Sequence, residues 1–437
     1  MSSSAPTPSS LCKKIMAWID ASPTPYHVVE TARRELVAAG YSELNEGEKW
    51  QVESGGRYFV TRRDASIVAF RYGTADVVEH GLRIVGAHTD SPALKVKPRP
   101  EKISQGYFQL GIEVYGGVLL APWFDRDLSL AGRVTLKSAT GLRHELVNFE
   151  RPVASIPSLA IHLDRTANEG RALNPQEQMR PVLLQNPEPG LTFKALLAQQ
   201  LGRGGGGELT EADVLDFDLS FYDTQKAAVV GLGEEFLASA RLDNLLSCFV
   251  GLNAFLASGG EQSAVLALFD HEEVGSQSHV GAQGNLLTAF IERLVPEAEA
   301  RFRMLHNSLM LSADNAHGIH PNYPHKHDEG HGPRLNGGPV IKYDANQSYA
   351  TSTETAAIVK LLADACGVPY QAYVTRADQR CGSTIGPMTS AKVGLRTVDV
   401  GLPTFAMHSI RELAGTKDLE YLGDIIERYF ELRDISS

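Results

Sequence analysis

Short runs of branched apolar residues recur along the chain, and several of them break off into histidines and carboxylates. IVAFRY (67–72), LRIVGA (82–87), VLALFD (265–270), SLMLSA (308–313) and RTVDVG (396–401) are rich in β-formers and too short for helices. Continuous rather than alternating hydrophobicity marks strands buried on both faces, as in a sheet covered by helices. Helical stretches fall before and between these runs. Tyr26 to Ala39 sets Val28, Val29, Ala32 and Leu36 on one face and is followed by Gly40, the pattern of a helix stopped by glycine. Asn244 to Leu256 repeats apolar side chains at 245, 248, 249, 252, 255 and 256. Thr351 to Glu354 reads as a capping box opening a helix that Gly367 and Pro369 close. The alternation predicts an α/β fold with a mixed sheet between helices.

From about Pro98 to about Ala238 the pattern changes to β-formers and glycine turns with few helical periods, as in YFQLGIEVYGGVLLAPW and RVTLKSATGLRHELVNF. This predicts a β-rich domain, residues 98–238, inserted into a discontinuous domain of residues 1–97 plus 239–437. The run GRGGGGE (202–208) inside it lacks the Gly-Lys-Ser/Thr ending of a phosphate loop and reads as a flexible surface loop.

Charge and cysteine usage narrow the class. Lys and Arg number 41 against 52 Asp and Glu, a formal charge of −11, and no basic stripe is present. A phosphate-tracking nucleic-acid binder or an anionic-membrane binder is therefore not expected. Cys12, Cys248, Cys366 and Cys381 lack C-x-x-C spacing and read as buried or incidental thiols. The polar start MSSSAPTPSS reads as a frayed tail rather than a signal peptide, and the apolar stretch 245–257 is too short to span a bilayer. Cytoplasmic residence is expected, so the N-x-S triplet at Asn346 is read as chance.

In open α/β sheets ligands sit at the carboxyl ends of the strands. Here those ends are polar: His88-Thr89-Asp90, Asp270-His271-Glu272-Glu273, Asp314-Asn315, and His408 beyond the last run, with Asp243 at the start of the 244–256 helix. Histidines and carboxylates without thiolates suit zinc, manganese or cobalt. If one carboxylate bridges, His88, Asp243, Glu273, Asp314 and His408 can hold two ions, with Asp243 between them. Adjacent Glu272 and Glu273 cannot both face one ion from an extended segment, which makes one a ligand and leaves the other for general base work. Asp90, two residues beyond His88, is placed to hydrogen-bond the other ring nitrogen. In HGIHPNYPHKHDEGHG (317–332) the prolines and glycines mark a loop, and His325, His327 and His331 read as a polar loop over a pocket. His317, three residues past Asp314, is a candidate substrate contact.

At these residues the sequence resembles the aspartyl aminopeptidases, dinuclear zinc exopeptidases. The matching stretches are VGAHTDSPALKVKP (85–98), ARLDNLLS (240–247), LFDHEEVGS (268–276), LSADNAHGIHPN (311–322), GGPVIKYDANQSYATS (337–352), CGSTIGP (381–387) and VGLPTFAMHSIRE (400–412). The resemblance implies a zinc-exopeptidase-like catalytic domain with two zinc ions per subunit, held by His88, Asp243, Glu273, Asp314 and His408, with Glu272 as catalytic base. Cobalt or manganese are possible substitutes. It implies substrate contacts at His317, Lys342 and Tyr349, and at His162, which in the family reaches a neighbouring subunit's active site. Unaided, His162 reads as a strand histidine and Lys342 as a surface lysine before a turn. The resemblance further implies that peptides with an N-terminal Asp or Glu are the substrates, that the inserted domain makes dimer contacts, and that dimers build a dodecamer. A related aminopeptidase of neutral specificity and an inactive assembly or cargo protein of the same fold are the alternatives.

Overall fold

The computed structural model describes residues 9–139, 141–170, 172–204 and 208–435. The first eight residues and part of the 202–208 glycine run therefore lie outside the described residues. The chain forms two compact units: Met1–Asp90 with Ala227–Met407 and Glu412–Ser437, and Ser91–Lys226 with His408–Arg411. The boundaries fall earlier than at residues 98 and 239 because strand pairing sets them. Ala93–Ser104 is one continuous strand of the second unit. Phe236–Ser239 pairs with Glu412–Gly415 in the first.

The first unit is built on a nine-stranded mixed sheet. Its order is Ser42–Glu43, Arg57–Arg62, Ser66–Arg71, Ala264–Phe269, Arg83–His88, Leu309–Ala313, Arg396–Gly401, Val340–Tyr343, Gln371–Val374. The strands from Ala264–Phe269 to Arg396–Gly401 run parallel, so their carboxyl ends lie along one edge of the sheet centre. Arg83–His88 and Ala264–Phe269 are buried throughout, as their unbroken hydrophobicity predicts. Leu242–Ala257, Thr353–Cys366 and Thr416–Phe430 supply apolar faces to a core that includes Val85, Leu246, Phe255, Val359 and Ile426. The expected capping box is shifted by one residue. Ser352 is the cap and Thr355 closes the box, because Thr351 is buried and its hydroxyl accepts the Asp399 N–H at 3.0 Å. Gly367, in the left-handed region, ends that helix as expected.

The second unit is a six-stranded antiparallel sheet in the order Gly141–Asn148, Leu128–Ser138, Val214–Asp223, Ala93–Ser104, Tyr107–Tyr115, Val182–Gln185. It has its own core, with Leu94, Phe108, Leu130, Leu136 and Phe221 fully or almost fully buried. A helix the hydrophobic pattern did not disclose, Phe193–Arg203, packs Phe193, Leu197 and Leu201 into that core. Its last residues are Gly202 and Arg203, so the glycine run begins inside a helix.

Candidate active site

Four local arrangements bring the polar strand ends of the first unit together. The Arg83–His88 strand ends on His88, whose ring is almost wholly buried. After Ala264–Phe269 the chain turns through His271, which has a φ of 62°, into a short 3-10 turn at Glu272–Val274. Arg241, with a φ of 60°, precedes Asp243 in the same way, and Asp243 and Asn244 depart from helical geometry before the helix proper. Asp314 follows Leu309–Ala313 and is pressed against the next strand. A Cβ on Gly401 would stand 1.8 Å from the Asp314 carbonyl oxygen, so only glycine permits that approach.

His88 Nε2 lies 3.4 Å from Asp243 Oδ1, 3.5 Å from Asp314 Oδ1 and 3.9 Å from Glu272 Oε2. Donor atoms of His88, Asp243 and Asp314 all lie within 4.8 Å of one another, and so do donor atoms of His88, Glu272 and Glu273. The second grouping corrects the expectation that the adjacent glutamates diverge. They stand on a 3-10 turn, not an extended segment, and both approach one point. Asp90 lies against the other ring nitrogen of His88, chiefly through its main chain. His88 Nδ1 meets the Asp90 main-chain oxygen at 3.0 Å, with the carboxylate further off at 3.5 Å. The Asp90 carboxylate also accepts the N–H groups of Glu272 and Glu273, each at 3.1 Å, and so fixes the turn that carries both.

The charges here are buried together. Burial raises the Glu272 carboxyl to about 8, with Asp314, Asp90 and Asp243 adding to the rise and His88 opposing it. Glu273 is held well above its ordinary range by burial and then by Asp243. For His88, burial alone would favour the neutral ring, but hydrogen bonding to Asp243, Asp314 and Asp90 outweighs it and holds the pKa well above the ordinary value. Packed like charges of this kind demand a positive partner, and an N/O donor set around one buried imidazole fits zinc or another divalent ion. Cys248 is not a ligand: burial pushes its thiol up to about 12, and Sγ donates to the His88 carbonyl at 2.9 Å.

The remaining expected residues fall as follows. Lys342 is 1% exposed, which overturns the surface reading. Its Nζ donates to the Asn315 carbonyl at 3.0 Å, lies 3.4 Å from Asp314 Oδ2, and stands 5.1 Å from the Tyr349 ring centre. Tyr349 and Tyr373 meet edge to face at 6.5 Å, and His317 meets Tyr373 at 5.9 Å. In the histidine-rich segment, His331 pairs with Asp328 at 2.6 Å and His325 belongs to a 3-10 turn, Pro324–Lys326. His408 groups with the second unit, where its Nδ1 faces the Gly117 carbonyl at 3.1 Å. His162 of that unit lies in an exposed turn, not in a strand. Glu412 was not anticipated. Its buried carboxylate accepts the Asp243 N–H at 3.0 Å, and the one sequence signal for it is its place in VGLPTFAMHSIRE.

Among the described residues no helix is long and apolar enough to cross a membrane. The profile of the family described as aminopeptidase I zinc metalloprotease (M18) matches residues 18–430. A probable M18 family aminopeptidase 2 of Pseudomonas syringae pv. syringae is 55% identical over 426 residues, which cover 97% of this chain and 99% of that protein. One from Stutzerimonas stutzeri is 54% identical over 422 residues, or 96% and 98%. Among solved structures, that of the Ape4 and Nbr1 complex superimposes with a TM-score of 0.93 at 37% identity, covering 96% of this chain and 85% of that one. The S. cerevisiae mApe1 dodecamer gives 0.83 at 28%, with 96% of each chain covered. With its family profile matched almost end to end and its nearly full-length relatives sharing over half their residues, the chain belongs to the M18 family of zinc metalloaminopeptidases.

Proposed function

We propose that this aminopeptidase removes an unblocked N-terminal Asp or Glu from peptides, using two zinc ions that His88, Asp243, Glu273, Asp314 and His408 would hold. The observation that carries the reading is the convergence of three carboxylates and Glu272 on His88, beside a buried lysine. The ligand roles, and His408 in particular, also rest on the resemblance of the strand-end motifs to the aspartyl aminopeptidases. When bound, the zinc pair supplies Lewis acidity toward a carbonyl and lowers the pKa of a water. Glu272 takes that water's proton at its carboxylate and returns it to the leaving amine. Asp90, by holding the Glu272 and Glu273 N–H groups, fixes the direction in which both carboxylates point.

Lys342 gives the acidic preference its physical basis. A substrate carboxylate taken from water needs a paired charge or several donors, and Lys342 with Tyr349 and His317 offers them. His162 contributes from a neighbouring subunit. The mApe1 neighbour is a dodecamer, and we infer the same assembly here, with the second unit making the dimer contacts. Cytoplasmic residence is part of the same reading. The test is hydrolysis of a panel of peptides differing in the first residue, by enzyme with zinc counted per chain. Preference for Asp and Glu with two zinc ions supports the reading. Preference for neutral residues reassigns the specificity, and no hydrolysis by fully loaded protein reassigns the chain to an assembly role.

A further inference from the structure

Asp399 is a fully buried carboxylate to which the proposed chemistry gives no part. It lies on Arg396–Gly401, where Val340 stands opposite Gly401 and Ile341 opposite Val400 in an antiparallel register. One further step along that register sets Lys342 opposite Asp399, with both side chains on the same face of the sheet. The carboxylate is tied to two further segments. Oδ2 accepts the Ala350 N–H at 2.6 Å, next to Tyr349, and Oδ1 accepts the Thr384 hydroxyl at 2.6 Å, at the start of the helix Ile385–Val393. The Asp399 N–H in turn donates to Thr351. A Cβ on Gly386 would come within 2.5 Å of both carboxylate oxygens, so the helix start is fitted around this one group. Asp399 thus faces the proposed specificity cation and anchors the two residues that follow the proposed specificity tyrosine.

We propose that Asp399 is a positioning residue for first-residue selection, holding Lys342 and the Tyr349–Thr351 segment in the arrangement that receives an acidic side chain. This rests on the acidic-specificity reading above. An isolated buried carboxylate is costly, and one that is satisfied by a hydroxyl, a main-chain N–H and a facing lysine fixes its partners rather than merely filling space.

The test compares kcat and KM on peptides beginning with Asp and with Leu, for wild type, Asp399→Asn and Thr384→Val, with zinc per chain measured in each. Asn can accept one of the two hydrogen bonds but carries no charge. Its Asp-over-Leu ratio of kcat/KM is expected to fall by about tenfold or more, mainly through KM on the Asp peptide, with zinc retained. Thr384→Val puts a methyl in place of the hydroxyl, removing its bond to Asp399 together with the cap on the Gly386 N–H, and should move the ratio the same way by a smaller factor; it decides the matter alone if Asp399→Asn does not fold. An unchanged ratio in zinc-loaded variants, or equal loss on both peptides, overturns the inference. A wild type with no preference for Asp removes the acidic reading itself, and this role with it, which distinguishes the two failures.

Discussion

In the first unit Ser66–Arg71, Arg83–His88 and Ala264–Phe269 are buried along their whole length, whereas in the second Tyr107–Tyr115 alternates buried with half-buried or exposed positions. A strand covered on both faces leaves a polar side chain nowhere to emerge except at its ends. The ends of the central parallel strands therefore collect His88, Glu272, Glu273 and Asp314 in one place. An antiparallel sheet with a wet face spreads its polar groups along every strand, and they pair locally, as Lys95 does with Asp218 at 2.6 Å. A carboxylate at the end of a strand buried on both faces thus points to chemistry, and one on a wet face to solubility.

The largest expected effect is on Glu272. Replacing it with Gln keeps the shape but removes the proton acceptor, so turnover should drop by roughly two to four decades while zinc per chain stays at the wild-type value. Near-normal turnover would break the assignment. In the second unit the sensitive positions should be apolar instead. Leu136→Ala, in a fully buried strand position, should lower the unfolding free energy by about 2–5 kcal/mol in denaturant titration and leave zinc content unchanged. Loss of zinc in that variant would contradict an effect confined to the stability of this core.

Acid sensitivity provides a third comparison. Burial, reinforced by Arg241 and Arg34, lowers His27 of the first unit from 6.5 to about 4. Because the folded pKa lies below the unfolded one, the contribution is fully present above pH 6.5 and is lost as pH falls through 4, amounting to about 3 kcal/mol. His27→Gln should flatten that limb of the stability profile, and an unaltered limb would assign it to other groups. The smallest effect should come from Asp218→Asn on the second unit's half-buried pair, which should shift stability by about 1 kcal/mol or less and leave turnover intact.

The buried strands were legible because hydrophobicity and length act together, and RTVDVG was located to the residue. The fine structure of the site was less so. That Asp90 would hold the Glu272–Glu273 turn as well as the His88 ring depends on His271 adopting a left-handed conformation, which is uncommon outside glycine. The cap of Thr353–Cys366 slipped from Thr351 to Ser352 because a long-range bond to Asp399 claims the first hydroxyl. Phe193–Arg203 was hidden by its short length and by the glycines that follow it. Glu412 and Asp399 act through main-chain groups distant in sequence, a relation that spacing cannot express.

The central claim is that the ends of the first unit's parallel strands form a two-ion metal centre. Metal stoichiometry by mass spectrometry on purified wild type and Asp243→Asn, with Leu136→Ala as the reference from the other unit, tests it directly. The account predicts two zinc ions per chain in wild type and in Leu136→Ala, and fewer in Asp243→Asn, where a proposed ligand carboxylate is gone. Wild type holding less than one ion per chain after zinc reconstitution, or an Asp243→Asn variant that still holds two, would contradict it.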